Sequence, residues 1–414
     1  MGTAPPFSEA HTSPVPKGAA PGRLPRRRLP LFVQLALITL LLGAALSGSI
    51  SSGITYTAII TVIITGVALV MLPLAWLRGE TSVRRALVPL FIFLGWALIV
   101  TAETHHFDKQ GAQNLCVYLL FAATIAITAA TAHRDNIQRF VAAVVTVAWI
   151  QVIVYGSVLL LKGFNSSGID GRRSFGIEGA LMMTVLLSTR DTRARVRVLP
   201  YIVTLEVGLS GSRTATIVAV TILILFALRS GGGFRKAIKL VARFSIAMTI
   251  ILVTVNFVPS VHNRVFGGDQ ASLFGIELNT EGRVALWNAV IADARQHDVW
   301  VGAGAGSAAD VVSADFGAGQ EPHNDYLRLW HDFGYIGGGL WIVAILNMLL
   351  ALGRRWRWTR ERFCCSAIAG IVAISIVMLT DNVVIYYYAM LPIGVMIGLA
   401  LVSPEAQPPE PMLP

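Results

Sequence analysis

Apolar runs of about 20 residues recur along most of the chain, and they decide what it can fold into. A run of that length crosses the hydrocarbon core of a bilayer as a helix. Inside lipid, every backbone N–H and C=O group needs a partner in the protein, so each run must be helical. Composition agrees, because only 14% of the residues are charged, against roughly 25% in a soluble domain. The sequence therefore predicts an all-α, polytopic membrane protein.

Twelve runs are predicted to be transmembrane helices. They lie near residues 31–47, 54–77, 86–102, 114–132, 140–162, 176–189, 198–210, 214–228, 244–258, 326–352, 364–380 and 384–402. The shortest runs are typical of tilted helices or of broken helices that line a polar cavity. Residues 1–29 and 403–414 are predicted to be disordered tails, which leaves residues 30–402 as a single transmembrane domain. The first run could also be a signal peptide, but the charge distribution favours an uncleaved helix.

Lysine and arginine residues are divided unevenly between the two sides that twelve spans define. With both termini on one side, 24 of the 33 cations lie on that side and nine on the other. Cytoplasmic loops carry an excess of Lys and Arg, so both termini are predicted to be cytoplasmic. The longest connector, residues 259–325 before the tenth helix, is then an ordered outer loop. The net charge of +10 reflects this topology and does not indicate nucleic-acid binding.

Arginine residues on the outer side, where cations are few, are the first candidate site residues. Arg213 begins a helix after a tight turn, and a helix N-terminus with a guanidinium can bind phosphate. Arg283 lies four residues before Trp287 on the apolar face of a predicted loop helix, where a cation needs an anionic partner. Arg172 and Arg173 lie in a polar loop before a short helix. The structural alternatives are a helix-end anchor for Arg213 and internal salt bridges for the others.

His323 lies where the outer loop re-enters the membrane, between Pro322 and a predicted helix that Asn324 or Asp325 can cap. The positive end of the helix dipole favours a neutral imidazole, which is the form that a general base needs. The alternative is a histidine that only caps or packs. His331 lies ~12 Å deeper along the same helix and is interpreted as a polar packing residue.

Two segments resemble cofactor or metal sites only superficially. Residues 302–307 are rich in glycine, but no βαβ strand precedes them, which favours a tight turn over a phosphate loop. His105, His106 and Asp108 could hold a metal ion, although a solvated loop is the better interpretation. The outer segments offer no paired-carboxylate motif for a divalent ion. We therefore expect a reaction that needs neither a cofactor nor a metal.

Several of these residues occur in an order that resembles the O-antigen ligase and O-antigen polymerase family. The order is Ser212-Arg213, Arg283 with Leu286-Trp287, Val301-Gly302-Ala303-Gly304, His323-Asn324-Asp325-Tyr326-Leu327 and Gly334-Tyr335-Ile336-Gly337. The resemblance covers about residues 173–345. It implies a membrane glycosyltransferase that acts on the periplasmic side of a bacterial inner membrane. The resemblance implies that the essential arginines and histidine of the family correspond to Arg213, Arg283 and His323, and less directly to Arg173.

The resemblance implies that the donor is a glycan on undecaprenyl pyrophosphate. The arginines would stabilise the leaving pyrophosphate and His323 would activate an acceptor hydroxyl, so a single displacement would invert the anomeric centre. The acceptor would be lipid A–core for a ligase or a polysaccharide for a polymerase. Contacts with substrate are expected at Arg172, Arg173, Asn324 and Asp325.

Two other classes of protein remain open from the sequence. The first is a small-anion transporter, for which Gln151 and Glu206 are the available membrane-buried polar residues, each isolated in its run. The second is a non-catalytic scaffold for envelope assembly, in which the outer cations would be replaceable.

Overall fold

The architecture of the described chain is helical, as predicted. The computed structural model describes residues 30–48, 56–131, 134–162, 172–186, 188, 194–227, 238–239, 242, 245, 270–273, 276–279, 282–317 and 320–402. Within these ranges, five helices are long and apolar enough to cross a membrane. They contain Thr61–Arg78, Thr81–Glu103, Lys109–Thr131, Asn136–Leu161 and Asp325–Thr359. Shorter apolar helices pack with them, which confirms a polytopic membrane protein.

The helices follow the predicted apolar runs closely. In chain order they are α1 (Leu31–Gly48), α2 (Tyr56–Arg78), α3 (Thr81–Glu103), α4 (Lys109–Thr131), α5 (Arg134–Lys162), α6 (Arg172–Leu186), α7 (Ala194–Leu209), α8 (Arg213–Ala227), α9 (Arg283–Ala294), α10 (Ser307–Phe316), α11 (Asp325–Thr359), α12 (Arg362–Val377) and α13 (Tyr387–Val402). The predicted run 244–258 lies almost entirely outside the described residues. The predicted tails, 1–29 and 403–414, also lie outside them.

The described part of the long connector contains a hairpin and two helices. Strand β1 (Gln270–Leu273) pairs antiparallel with β2 (Ile276–Asn279), a small exception to the all-helical prediction. Helix α9 is the loop helix predicted around Arg283. Its buried residues are Leu286, Val290 and Ala294, whereas Trp287 on the predicted apolar face is half-buried. The buried face packs against Ala308 and Val312 of α10.

Aromatic residues fill the interface of α3, α4 and α11. The ring of Phe93 lies 5.6 Å from the rings of Tyr118 and Phe333, and 5.2 Å from that of Trp341, with edge-on geometry in each case. All four side chains are buried. Edge-to-face pairs of this kind add to the gain from area burial. They fix α11, which begins directly after His323 and Asn324, to the long helices α3 and α4.

Helix α11 is interrupted at Gly334, whose φ of 67° and ψ of −173° are not helical. Residues 299–304 of the long connector lie in this break. Four hydrogen bonds join them to it: Ala303 N–H to His331 O at 3.0 Å, Gly304 N–H to Asp332 O at 2.8 Å, Tyr335 N–H to Val299 O at 3.0 Å and Ile336 N–H to Trp300 O at 3.2 Å. The loop therefore satisfies backbone groups that the broken helix leaves open.

The glycine-rich segment 302–307 is a tight turn, as predicted. Gly302, Gly304 and Gly306 have φ values of 91°, 97° and 91°, which favour glycine. The amides of this turn bond within the protein, since Gly304 N–H reaches α11 and Gly306 N–H donates to Asp332 Oδ2 at 2.9 Å. Those amides serve packing of the loop onto α11 and not a nucleotide phosphate.

Candidate active site

The connector between α12 and α13, residues 378–386, contacts two of the predicted site residues, Asp325 and His323. The buried residue Asp325 fixes this connector to the start of α11. Its backbone N–H donates to Met378 O at 2.9 Å, and its Oδ2 accepts from Val383 N–H at 2.6 Å and Val384 N–H at 3.0 Å. The contacts of this carboxylate are internal, so its predicted contact with substrate stays a prediction.

His323 faces the same connector. Its Nδ1 lies 3.1 Å from Asn382 Nδ2 and 3.6 Å from Asp381 Oδ1. The φ of His323 is 51°, in the left-handed region that a non-glycine residue adopts only where its surroundings enforce it. The helix cap at the next residue helps to enforce this φ value, because Asn324 Oδ1 accepts from Leu327 N–H at 3.0 Å. The predicted capping of α11 by Asn324 is thus confirmed.

Arg213 starts α8 beside this connector. The next residue, Thr214, forms a hydroxyl–hydroxyl hydrogen bond with Thr380. The Oγ of Ser212 accepts from Ala215 N–H at 3.4 Å, consistent with the cap predicted from the sequence. The side chain of Arg213 is exposed. One end of α8, with its cation, therefore adjoins the connector that His323 contacts.

Helix α9, which begins with Arg283, bonds to the residue that precedes His323. Trp287 lies one turn after Arg283. The indole N–H of Trp287 donates to Pro322 O at 2.8 Å, and Pro322 directly precedes His323. His323, and residues within about one turn of Arg213 and Arg283, thus form these hydrogen bonds, although the three candidates are far apart along the chain.

His331 joins α9, α10 and α11 in a buried polar network. Its Nε2 lies 2.8 Å from Asp293 Oδ2 on α9, and its Nδ1 lies 3.0 Å from Ser307 Oγ at the start of α10. The neighbouring Asp332 receives Ser307 O–H at 3.1 Å and Ala308 N–H at 2.9 Å, which caps α10. These contacts agree with the interpretation of His331 as a polar packing residue.

Arg172 and Arg173 form the first turn of α6. This end of α6 packs tightly onto the turn that leads into α8. A Cβ atom added to Gly176 would lie 2.9 Å from Ser210 Oγ and 3.0 Å from Ser212 Cβ. The backbone of α6 thus starts next to the turn that carries Arg213.

Sequence reasoning gave no role to Arg328, which is central to the structure. Its side chain is 1% exposed, its Nη2 pairs with Glu321 Oε2, and its Nε lies 3.6 Å from Asp325 Oδ1. Glu321 also accepts from Gln110 Nε2 at 2.5 Å. A buried guanidinium is tolerable because these carboxylates surround it. The spacing of three residues between Asp325 and Arg328 was the available signal in the sequence.

The connector between α3 and α4 is largely exposed, in agreement with the predicted solvated loop, and it also contacts α10. His106, Asp108 and Asp310 bring three possible ligand atoms to within 4.8 Å of one another. His106 Nε2 lies 2.8 Å from Asp310 Oδ2, and Asp108 Oδ1 accepts from Gly111 N–H at 2.6 Å. These contacts tie the connector to α10 and to the start of α4.

Gln151 is not isolated, contrary to the expectation from the sequence. Its Nε2 donates to Glu178 Oε2 at 2.7 Å, and both side chains are buried between α5 and α6. Glu206 is also buried, on α7. Glu178 lies in a predicted span, where a carboxylate is costly without a hydrogen-bond partner.

Residues 201–342 match the family model described as O-antigen ligase. The match covers about a third of the chain and includes Arg213, Arg283 and His323. A comparison with curated proteins gives no match. The family match confirms the resemblance drawn from the sequence.

Proposed function

We propose, from the O-antigen ligase domain at residues 201–342, that this protein is a periplasm-facing glycosyltransferase of the bacterial inner membrane. It transfers a glycan from undecaprenyl pyrophosphate to an acceptor hydroxyl, without a metal and with inversion. The observation that carries the proposal is a set of three hydrogen bonds near the candidates. Thr214 bonds to Thr380 and His323 to Asn382, both in the connector 378–386, and Trp287 bonds to Pro322 beside His323. A polar meeting point built from α8, α9 and α11 suits a doubly charged leaving group.

The two arginines recognise the pyrophosphate. Arg213 lies in the first turn of α8, where the positive end of the helix dipole adds to its charge. Arg283 occupies the equivalent position on α9. Each guanidinium can donate two parallel hydrogen bonds to phosphate oxygens. Together they stabilise the charge that develops as the glycosidic bond to the pyrophosphate breaks. Arg172 and Arg173, which begin α6, are proposed to contribute further to donor binding.

His323 is the general base. The side-chain amide of Asn382 lies 3.1 Å from His323 Nδ1, and Asp381 Oδ1 lies 3.6 Å from the same nitrogen. Oxygen and nitrogen of a side-chain amide are readily exchanged in assignment. With the amide reversed, Oδ1 accepts the Nδ1 proton, Asp381 supports the same tautomer, and Nε2 carries the basic lone pair.

The reaction is then a single displacement. The acceptor hydroxyl gives its proton to His323 Nε2, and its oxygen forms a bond to the anomeric carbon. The bond from that carbon to the pyrophosphate oxygen breaks, and undecaprenyl pyrophosphate leaves with both electrons. Because attack and departure occur on opposite faces, the configuration inverts. Lipid A–core and a growing polysaccharide both present hydroxyls for this step, so either a ligase or a polymerase reaction fits.

The test is single-turnover transfer by the purified protein in detergent. A synthetic undecaprenyl-pyrophosphate glycan is supplied with lipid A–core or with a repeat-unit acceptor, in buffer containing EDTA. We expect transfer to one acceptor, with the opposite anomeric configuration in the product by NMR. Transfer that stops on chelation and returns with Mg²⁺ would refute the metal-independent mechanism. Absence of transfer to both acceptors, with anion uptake into proteoliposomes, would favour the transporter, and absence of both activities the scaffold.

A further inference from the structure

The exposure of α11 changes abruptly at its break. Between Asp325 and Gly334 none of its residues is exposed. Beyond the break, one face of the helix is exposed and its large side chains are apolar or aromatic. They are Tyr335, Ile336, Ile342, Val343, Leu346 and Leu350. The next charged residue is Arg354, which lies about 28 Å from Tyr335 by helical rise. This length is close to the ~30 Å hydrocarbon thickness of a bilayer.

The exposed apolar face of helix α3 ends at the same height as that of α11. The side-chain amide of Asn347 donates to the backbone carbonyls of Arg85 and Ala86, both at 3.0 Å, which fixes the register of α11 against the antiparallel α3. An equal number of residues separates Asn347 from Tyr335 and Ala86 from Leu98. Leu98 and the adjacent Ile99 are the last large apolar side chains exposed on α3 before Glu103, which is also exposed.

Three aromatic side chains lie close together at the height of the break in α11. Trp300 and Tyr335 are 62% and 55% exposed, with ring centroids 5.4 Å apart. The ring of Trp330 lies 5.7 Å from that of Tyr335. Trp300 is held there by the backbone bond from Ile336 N–H to its carbonyl oxygen. Tryptophan and tyrosine are enriched where hydrocarbon meets headgroups, because one part of each ring is apolar and another hydrogen-bonds.

We infer that Trp300 and Tyr335 anchor the protein in the outer lipid interface, so that the hydrocarbon boundary lies at the Gly334 break. The occupant of this surface is lipid, because the aromatic pair continues directly into an uncharged exposed strip of bilayer length. The first ten residues of α11 then lie outside the hydrocarbon. The buried charges of Asp325, Arg328 and Asp332 then avoid the free-energy cost of placing charge within the hydrocarbon of the bilayer. Apolar composition alone would have extended the span to Asp325.

The experiment measures the depth of single fluorophores. In a background with Cys116, Cys364 and Cys365 replaced by alanine, NBD is attached at Trp300→Cys or, as a second position, Ile336→Cys. Leu346→Cys and Asp310→Cys are the deep and the aqueous controls. Each protein is reconstituted into phosphatidylethanolamine–phosphatidylglycerol vesicles that contain lipids spin-labelled at the headgroup, at acyl carbon 5 or at acyl carbon 12.

We expect NBD at Trp300→Cys and Ile336→Cys to be quenched most by the headgroup and carbon-5 labels. NBD at Leu346→Cys should be quenched most by the carbon-12 label, and NBD at Asp310→Cys by none of them. Deep quenching of the Trp300→Cys label would place the break inside the hydrocarbon and overturn the inference. Absence of quenching by any lipid would also overturn it and would leave the aromatic pair as a platform for carbohydrate. The vesicles contain no glycan donor, so neither outcome bears on the transferase reaction.

Discussion

Arg328 and His323 are near neighbours in sequence, but their surroundings give them different roles. Arg328 is buried with Glu321 and Asp325, and its charge is paired with these carboxylates inside the protein. The side chain of His323 is 18% exposed and lies at the surface of the connector. Arg213 is exposed as well. A buried cation among carboxylates is structural, whereas a cation at the surface of the site is in a position to meet a substrate anion.

The first prediction at the residue scale concerns the paired hydrogen bonds that the guanidinium groups of Arg213 and Arg283 can make to phosphate. Arg213→Lys and Arg283→Lys should each lower single-turnover transfer about a hundredfold, because lysine keeps the charge but cannot make the paired bonds to phosphate. This corresponds to roughly 3 kcal/mol in the barrier. Arg295→Lys, at an exposed position after α9, is the matched control and should transfer normally. Normal rates in both site variants would exclude bidentate recognition of pyrophosphate.

The second prediction separates the base from the binding groups. His323→Ala should slow transfer by a factor of 10² to 10⁴ while the affinity for the lipid-pyrophosphate donor changes little, since a general base acts on the acceptor hydroxyl. Transfer is followed in a single turnover and donor binding by titration of the same preparation. His297→Gln is the control histidine. If His323→Ala transferred at the normal rate, the base would have to be another residue, with Asp325 and His331 as the next candidates.

At the element scale, the main feature is the broken helix α11 and the loop that fills the break. The loop segment 299–304 bonds to both sides of Gly334, and Trp96 Nε1 adds a bond to Phe333 O at 3.0 Å. Asp332 in the same turn caps α10. The break therefore does not loosen the structure, because other elements satisfy its backbone groups. It joins the outer loop to the transmembrane helices at the base of the site.

Replacing the glycine at the break should destabilise the protein. A Cβ atom at Gly334 would lie 2.1 Å from Trp300 O, and its φ of 67° is itself unfavourable for alanine by roughly 1–2 kcal/mol. Gly334→Ala should lower the melting temperature in detergent by several degrees or more. Gly339→Ala is the matched control, because a Cβ atom there meets nothing within 4 Å and alanine favours helix. Equal melting temperatures for the two variants would contradict the role of the break.

The bond between Asp293 and His331 should position Arg283. Both ends of α9 are tied, one through Trp287 and the other through Asp293. Asp293→Asn weakens the second tie, so donor affinity should fall several-fold while the melting temperature changes little. The exposed Asp315→Asn is the control.

A double-mutant cycle distinguishes positioning by Asp293 from a general loss of structure. If Asp293 acts through Arg283, its effect on donor affinity should largely disappear in an Arg283→Lys background. Fully additive effects in the double variant would show that the two residues act independently.

At the scale of the whole molecule, orientation in the membrane is the property that the proposed function requires. The positive-inside distribution predicts that the long connector faces the periplasm. In a cysteine-free background, Ser272→Cys on β1 should react with an impermeant maleimide when only the outer membrane is permeabilised. Ser82→Cys, at the start of α3, should react only after the inner membrane is opened. The reverse pattern would invert the topology and remove the proposed access to periplasmic substrates.

The sequence by itself determined the helices and the identity of the candidate cations. A bilayer imposes a length and a hydrogen-bonding requirement on every span, and both are properties of a local stretch of chain. The predicted runs therefore coincide closely with the described helices. The cap at Asn324, the tight turn at 302–307 and the loop helix α9 were also local, since each depends on residues within one or two turns.

Only the tertiary structure decided how distant segments meet. The run 326–352 was predicted as one unbroken span, because the residues that fill the break at Gly334, 299–304, are about 30 positions away along the chain. Asp381 and Asn382 looked like an interruption between two runs until folding placed them against His323. Glu321 lies before the start of α11 and Asp325 is its first residue, so helical periodicity alone cannot predict that both carboxylates surround Arg328. The physical reason is that secondary structure depends on neighbours along the chain, whereas a site depends on neighbours in space.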